Sequence, residues 1–197
     1  MKLVHFLDGD ASLPRPGLLL PSGEEVVDLI SPHSGVASPS CPLEIFNLDG
    51  DVLPEIRVCA ASLEDDEALG SLRDSGCLLA KSSLRLTSPV PWPRKVVAIG
   101  RNYREHAEEQ GADIPEDPLI FSKFPTSVIG PGETVRIPPG CENLDYEAEL
   151  GVVIGRKAVA VSEEEAMDYV FGYLNVNDVS ARDFQFGDGQ WQRGKSC

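Results

Sequence analysis

The sequence predicts a β-rich α+β fold, in which a small N-terminal α/β domain at residues 1–90 precedes a larger domain at residues 91–197. Three observations carry that expectation. Apolar runs are short and bounded by Gly, Pro and Ser, as strands are; helix signatures are few and brief; and a proline-rich break separates the two parts. At 197 residues the chain can bury a proper core.

The elements follow in order. An apolar run from Leu3 to Leu7 opens the chain as a strand. Leu18-Leu19-Leu20 and Val26-Val27-Asp28-Leu29 then flank Pro21-Ser22-Gly23, a hairpin signature. Ile30 to Pro42 is rich in Ser, Pro and Gly and reads as loop. Ser62 is placed to cap a helix whose first turn holds Glu64, Asp65 and Asp66, charges favoured at a helix N-terminus.

Thr87-Ser88-Pro89-Val90-Pro91-Trp92-Pro93 sets three prolines at alternate positions, a stiff extended connector that cannot continue a helix. Beyond it Lys95 to Ile99 is a strand ended by Gly100. Asn102 and Glu105 form a capping-box pair for a short helix running to Gly111. Leu119 to Phe121, Val135 to Ile137, Leu150 to Ile154 and Leu174 to Val179 read as strands. A second capping box, Ser162 with Glu165, opens a helix through Met167 and Tyr169.

Composition narrows the function classes. With 17 Lys+Arg against 32 Asp+Glu the formal charge is −15, which repels polyphosphates and leaves no basic stripe for a nucleic acid. No stretch approaches the ~20 apolar residues of a membrane helix. Neither a nucleic acid nor a membrane is therefore an expected partner. The five cysteines lack CxxC or zinc-finger spacing and read as free thiols of a reducing compartment. MKLVHFLDGD resembles neither a secretory signal nor an Arg-rich transit peptide, so a cytoplasmic or mitochondrial location is expected with no targeting segment visible.

Three clusters carry the chemistry. In Asp145-Tyr146-Glu147-Ala148-Glu149-Leu150, strand alternation turns Glu147 and Glu149 to one face, where they either stay hydrated or share a cation. Asn177-Asp178-Val179-Ser180-Ala181-Arg182-Asp183 brings another carboxylate at a strand end. Three carboxylates without Cys or His ligands make a hard oxygen site, suited to Mg²⁺, Mn²⁺ or Ca²⁺ rather than zinc. Arg182 matches the fork of a substrate carboxylate or pairs with Asp183 or another acid. His106 and Glu109, three apart on a helix, make either a general-base pair or ordinary surface.

Gly100-Arg101-Asn102-Tyr103, Phe121-Ser122-Lys123-Phe124, Ile129-Gly130-Pro131, Asp145 to Leu150, Asn177 to Asp183 and Gly194-Lys195-Ser196 occur in the order of successive blocks of one family. On these blocks the chain resembles the fumarylacetoacetate hydrolase family, from Lys95 to Lys195 closely and over the first ninety residues loosely. The resemblance implies a mixed β-roll catalytic domain, dimeric in its full form, with Mg²⁺ or Mn²⁺ held at Glu147, Glu149 and Asp178. It implies a water-activating dyad at His106 and Glu109, and Lys123, Arg182, Gln185 and Lys195 lining the pocket of a small anionic oxo acid.

The activity so implied is metal-dependent hydrolysis of a C–C bond in a 2-oxo or 1,3-dioxo acid of acylpyruvate type, or decarboxylation of oxaloacetate. The family domain continues past the Gly-Lys-Ser block with further strands and a Gly-Thr-Pro loop, so the chain to Cys197 is expected to hold the first part of the roll only. The alternative expectation is an inactive member that binds metal or a full-length subunit without catalysis.

Overall fold

The computed structural model describes residues 1–37, 41–109, 111, 115–187 and 189–197, with the side chains of His106, Ala107 and Glu109 outside that description. The fold is a mixed, sheet-rich α+β arrangement of two compact units. One comprises Met1–Pro91, Ile129–Glu133 and Leu150–Leu174; the other comprises Trp92–Val128, Thr134–Glu149 and Asn175–Cys197.

In the first unit, strands β1 (Lys2–Asp8), β2 (Arg15–Leu19) and β3 (Glu25–Asp28) precede helices α1 (Val52–Ser62) and α2 (Asp66–Asp74). Strands β4 (Leu78–Ala80) and β5 (Leu84–Leu86) follow. The five strands form one sheet in the order β4-β3-β2-β1-β5, each pair antiparallel. The hairpin is as the sequence predicts: Leu18 faces Val27 and Leu19 faces Val26. Gly23 takes φ 77°, a left-handed turn position that a side chain would strain.

Leu18 and Val27 of this sheet, with Leu29 just after β3, pack on Ile45, Ile56 of α1 and Leu72 of α2, all nearly or fully buried. Each such side chain contributes about 1.5–3 kcal/mol through water removed from apolar surface. Phe46 meets Phe171 edge-on at 5.2 Å. Cys59 and Cys77 are free and buried, and burial pushes their thiols up, so they act here as small apolar residues.

The second unit contains β6 (Val96–Gly100), α3 (Arg104–Glu109), β7 (Leu119–Lys123) and β8 (Leu144–Asp145). The strands β9 (Ala148–Ile154) and β10 (Val170–Asn177) run through both units, and β11 (Ser180–Ala181), α4 (Arg182–Gly187) and α5 (Gln192–Lys195) complete the second. β6 pairs antiparallel with β7 and β8 with β11, and β9 is hydrogen-bonded to β10.

Three local expectations meet a different outcome, and one helix is additional to them. Ser62 ends α1 and its hydroxyl donates to the Cys59 carbonyl; Asp65 caps the next helix by accepting from the Glu67 N–H. The carboxylate nearest the first free N–H wins that role. The helix α1 itself has no counterpart in the sequence reading, although its buried residues Val52, Leu53, Ile56 and Cys59 recur at helical spacing. Val135 to Ile137 forms no strand, and both apolar side chains are exposed. The Ser162–Glu165 box forms reciprocally, at 2.9 Å between side chains and 3.3 Å from the Glu165 N–H to the Ser162 hydroxyl, but opens only a one-turn 3₁₀ segment, Ala166–Tyr169. β10 begins at Val170 and leaves no room for a longer helix.

Candidate functional site

Short elements of the second unit bring the site together. β8 pairs with β11 so that Ser180 lies opposite Asp145 and Ala181 opposite Leu144. The backbone N–H of Asp178 donates to the Glu147 carbonyl at 2.9 Å, and that of Arg182 to the Asn143 carbonyl at 2.8 Å. These bonds place Asp145, Glu147, Asp178 and Arg182 side by side. α5 folds against α4 through Gly194: a Cβ there would lie 2.6 Å from the Gln185 nitrogen and 2.7 Å from the Ala181 oxygen. The absent side chain lets Lys195, next in the chain, enter the acids.

The charged network is continuous. Lys195 Nζ lies 2.7 Å from Glu147 Oε2 and 3.0 Å from Asp178 Oδ2, with its side chain 2% exposed. Lys123 Nζ reaches the other Asp178 oxygen at 2.5 Å and the Val179 carbonyl at 3.1 Å. Arg182 donates through Nη1 to Glu147 Oε1 at 2.7 Å and to Gln185 Oε1 at 2.9 Å. Its Nε and Nη2 both reach Asp145 Oδ2, at 3.0 and 2.7 Å. The Arg182 hydrogen bonds hold the Asp145 carboxyl below its ordinary range, with the guanidinium charge assisting.

Of the residues expected to line a site, Lys123, Glu147, Asp178, Arg182, Gln185 and Lys195 come together. Glu149 instead accepts from the Asn102 side-chain amide at 3.1 Å. His106 and Glu109 lie on α3, and their side chains are outside the described residues. Arg182 takes Asp145 and Glu147 as partners; Asp183 turns away to accept from the Glu142 and Asn143 N–H groups and the Asn143 amide. Those bonds, the Asn143 side chain first, hold Asp183 at about 2.

Sequence reasoning passed over Asp145 as the partner of Arg182, and Asn177, whose side-chain oxygen accepts the Glu147 N–H at 3.1 Å. Both stand inside the blocks already quoted. What was missing was the β8–β11 pairing, a contact between segments more than thirty residues apart in the chain.

Among the described residues no three His, Cys, Asp or Glu side chains gather tightly enough to hold a metal ion. Two carboxylates do converge on one cation, because Glu147 and Asp178 share the Lys195 ammonium. Their all-oxygen chemistry fits Mg²⁺ or Mn²⁺. Glu149, held by Asn102, stands outside that pair.

The second unit of this β-rich α+β scaffold thus holds a lysine–carboxylate–arginine cluster whose centre, Lys195 and Asp178, is buried. Residues 95–197 match the family model described as fumarylacetoacetate (FAA) hydrolase C-terminal, and the chain belongs to that family. It is 36% identical over its whole length to oxaloacetate tautomerase fahd2, mitochondrial, of Xenopus laevis, and 41% identical to oxaloacetate tautomerase Fahd2a, mitochondrial, of Rattus norvegicus. The chain spans 58% of the length of each.

Among solved structures, it superimposes over its full length on a fumarylacetoacetate hydrolase from Exiguobacterium antarcticum, with a TM-score of 0.70 and 30% identity. A 5-carboxymethyl-2-hydroxymuconate delta-isomerase from Mycobacterium smegmatis gives 0.70 and 27%. The chain covers 62% of either structure.

Proposed function

We propose that this chain carries the acid-base and cation-binding part of an enzyme that acts on a small 2-oxo or 1,3-dioxo acid, interconverting or cleaving it through an enolate. The observation that supports the reading best is the convergence of Glu147 and Asp178 on one cation beside Lys123 and Arg182. Hydrolases and isomerases of this family share a need to stabilise negative charge beside a carbonyl, so the cluster suits both. Relatives bearing the name oxaloacetate tautomerase favour oxaloacetate as the first compound to try.

Glu147 and Asp178, joined by Glu149 once it leaves Asn102, would hold Mg²⁺ or Mn²⁺, with Ca²⁺ also matching the oxygen donors. A divalent cation there supplies Lewis-acid stabilisation of the developing oxyanion. The chain's own cations orient the substrate: Lys123, Lys195 and Arg182 present N–H groups to its carboxylates. Gln185, buried, fixes the Arg182 fork by accepting from Nη1. On this reading His106, assisted by Glu109, takes or returns the proton at the substrate carbon, or from water when the outcome is hydrolysis.

The test is enol-to-keto conversion of oxaloacetate and hydrolysis of an acylpyruvate, followed by absorbance with Mn²⁺ present. Wild type is compared with Glu147→Gln and His106→Asn. Turnover that falls at least ~100-fold in both variants supports the assignment. Equal turnover in all three removes it.

A second reading, binding without turnover, has its own support. In the first unit Leu150, Val152 and Ile154 of β9 and Tyr173 of β10 are exposed, while Val153 and Phe171 pack on the core. Strands apolar on both faces are normally covered on both. Light scattering decides whether the chain is a monomer, a homodimer or a partner for a longer family member. Of the two locations expected, cytoplasmic or mitochondrial, the relatives named as mitochondrial favour the second.

A further inference from the structure

Lys123 ends β7 and Lys195 ends α5, and each ammonium takes a different oxygen of Asp178, at 2.5 and 3.0 Å. The separation of the two cations therefore depends on how α5 sits against β7. The close approach at Gly194 seats α5 on α4, and its hold on β7 comes from other contacts. Trp191, just before α5, lies edge-on to Phe121 of β7 at 5.4 Å, and the Phe121 ring centroid is 5.1 Å from the Lys195 ammonium. Edge-on aromatic contacts tolerate a range of separations, whereas a hydrogen bond fails beyond about 3.5 Å.

Three hydrogen bonds supply the directional part of that hold. Ser122 Oγ donates to Gln192 Oε1 at 2.7 Å, and Gln192 Nε2 donates to Ser196 Oγ at 2.8 Å. The Phe124 N–H donates to the same Ser196 oxygen at 2.9 Å. Ser122 and Phe124 flank Lys123 in the chain, and Ser196 follows Lys195. Gln192 closes the run by using both ends of its amide, one toward the strand and one along α5. These groups are neutral and meet the two lysines through main chain, so they act on the placement of the cations and not on their charge.

We propose that Gln192 is a positioning residue: its amide latches α5 to β7 and so fixes the separation of the Lys123 and Lys195 ammoniums that grip the substrate anion. The proposal rests on the reading of both lysines as substrate-holding groups. Loss of the latch moves Lys195 out of register with Lys123 while the acid-base groups stay in place. Binding then weakens and the chemical step does not, which raises KM and leaves kcat. A carboxylate can serve in place of the amide, because it accepts from Ser122 and from Ser196, whose hydroxyl proton can turn to donate. Methionine, of similar length, can do neither.

The experiment compares wild type with Gln192→Met, Gln192→Glu, Ser122→Ala and the Ser122→Ala/Gln192→Met double variant. Its first readout is the rate at which an amine-acylating ester modifies Lys195, 2% exposed, relative to the exposed Lys157, followed by peptide mass spectrometry. Alkylation of Cys77, fully buried in the first unit, is followed in parallel as the control for general unfolding. Gln192→Met should raise the Lys195 ratio at least ~10-fold with Cys77 unchanged. Gln192→Glu should stay within about threefold of wild type, and the double variant should add little to Gln192→Met, since both changes cut one run of bonds. The second readout is enol-to-keto conversion of oxaloacetate with Mn²⁺ present. There Gln192→Met should raise KM at least ~5-fold with kcat within about threefold, and Gln192→Glu should restore KM.

Equal protection of Lys195 in Gln192→Met and wild type overturns the proposal. So does Cys77 alkylation that rises in step with Lys195, a Gln192→Glu variant as disrupted as Gln192→Met, or a KM that stays while Lys195 becomes reactive. A loss of kcat at constant KM overturns it too. Wild-type turnover with KM and Lys195 protection both unchanged in the variants leaves the functional reading standing and removes the role of Gln192. If no protein turns over oxaloacetate or an acylpyruvate, the functional reading fails, and the acylation rates alone decide whether the latch places Lys195.

Discussion

Asp178 is tied to Glu147 twice: its backbone N–H donates to the Glu147 carbonyl at 2.9 Å, and its carboxylate shares the Lys195 ammonium with that of Glu147. The backbone bond fixes the spacing, and the shared ammonium offsets the repulsion between two like charges. Two acids held close by main chain and joined by a cation form a charge-compensated pair rather than two independent surface carboxylates.

Asp178→Ala is therefore expected to destabilise the fold by about 3–5 kcal/mol, since it leaves the Lys123 and Lys195 ammoniums beside an apolar methyl. Asp178→Asn, which keeps an acceptor oxygen, should cost less. Urea unfolding followed by tryptophan fluorescence measures both, and a cost below ~1 kcal/mol for the alanine variant contradicts the buried-pair account.

Gly194→Ala tests how Lys195 is delivered to the cluster. The added Cβ would meet main-chain atoms at 2.6 and 2.7 Å, and backbone cannot yield as a flexible side chain does. A loss of about 1–3 kcal/mol is expected from the forced shift of α5. Mn²⁺ binding measured beside stability separates a local displacement of Lys195 from global loss of fold.

Asp183→Asn addresses the segment at Glu142 and Asn143 that leads into β8 and its Asp145. The carboxyl of Asp183 is held at about 2 by the Asn143 amide and the backbone N–H groups of Asn143 and Glu142. A depressed carboxyl favours the folded state above the unfolded value of about 3.9, and that contribution is lost as pH falls through 2. Wild type should thus exceed the asparagine variant in unfolding midpoint at neutral pH, with the gap closing between about pH 4 and pH 2. A gap independent of pH would show that shape, not charge, holds the loop.

Much of this was legible in residue order because strands and hairpins are local. Alternation predicts Glu147 and Glu149 on one face; Glu149 lies in β9, which alternates between exposed and half-buried positions, whereas Glu147 stands just before that strand. The turn at Pro21-Ser22-Gly23 is equally local. What stayed hidden was pairing at a distance. Nothing within the Asn177–Asp183 block says that Arg182 will choose Asp145 over its neighbour Asp183; the choice follows from β8 pairing with β11 and from two N–H groups that claim Asp183 first. Likewise Asn102 reads as a helix cap, yet its amide reaches Glu149, forty-seven residues on.

His5 supplies the last prediction. It is fully buried on β1, with Nδ1 2.8 Å from the Pro89 carbonyl and Nε2 3.1 Å from that of Pro42. A neutral imidazole has one N–H and satisfies one carbonyl; an imidazolium satisfies both but carries a buried charge. Burial outweighs the two carbonyls and lowers the His5 pKa from its ordinary 6.5. The unfolded chain then takes up a proton that the folded one refuses, so stability is full above about pH 6.5 and declines below it. The slope for one proton cannot exceed about 1.4 kcal/mol per pH unit. Denaturation midpoints from pH 8 to pH 5 should fall more steeply for wild type than for His5→Gln, which does not titrate. Should wild type instead gain on the variant as pH falls, the carbonyls would outweigh burial, and His5 would be charged in the folded protein.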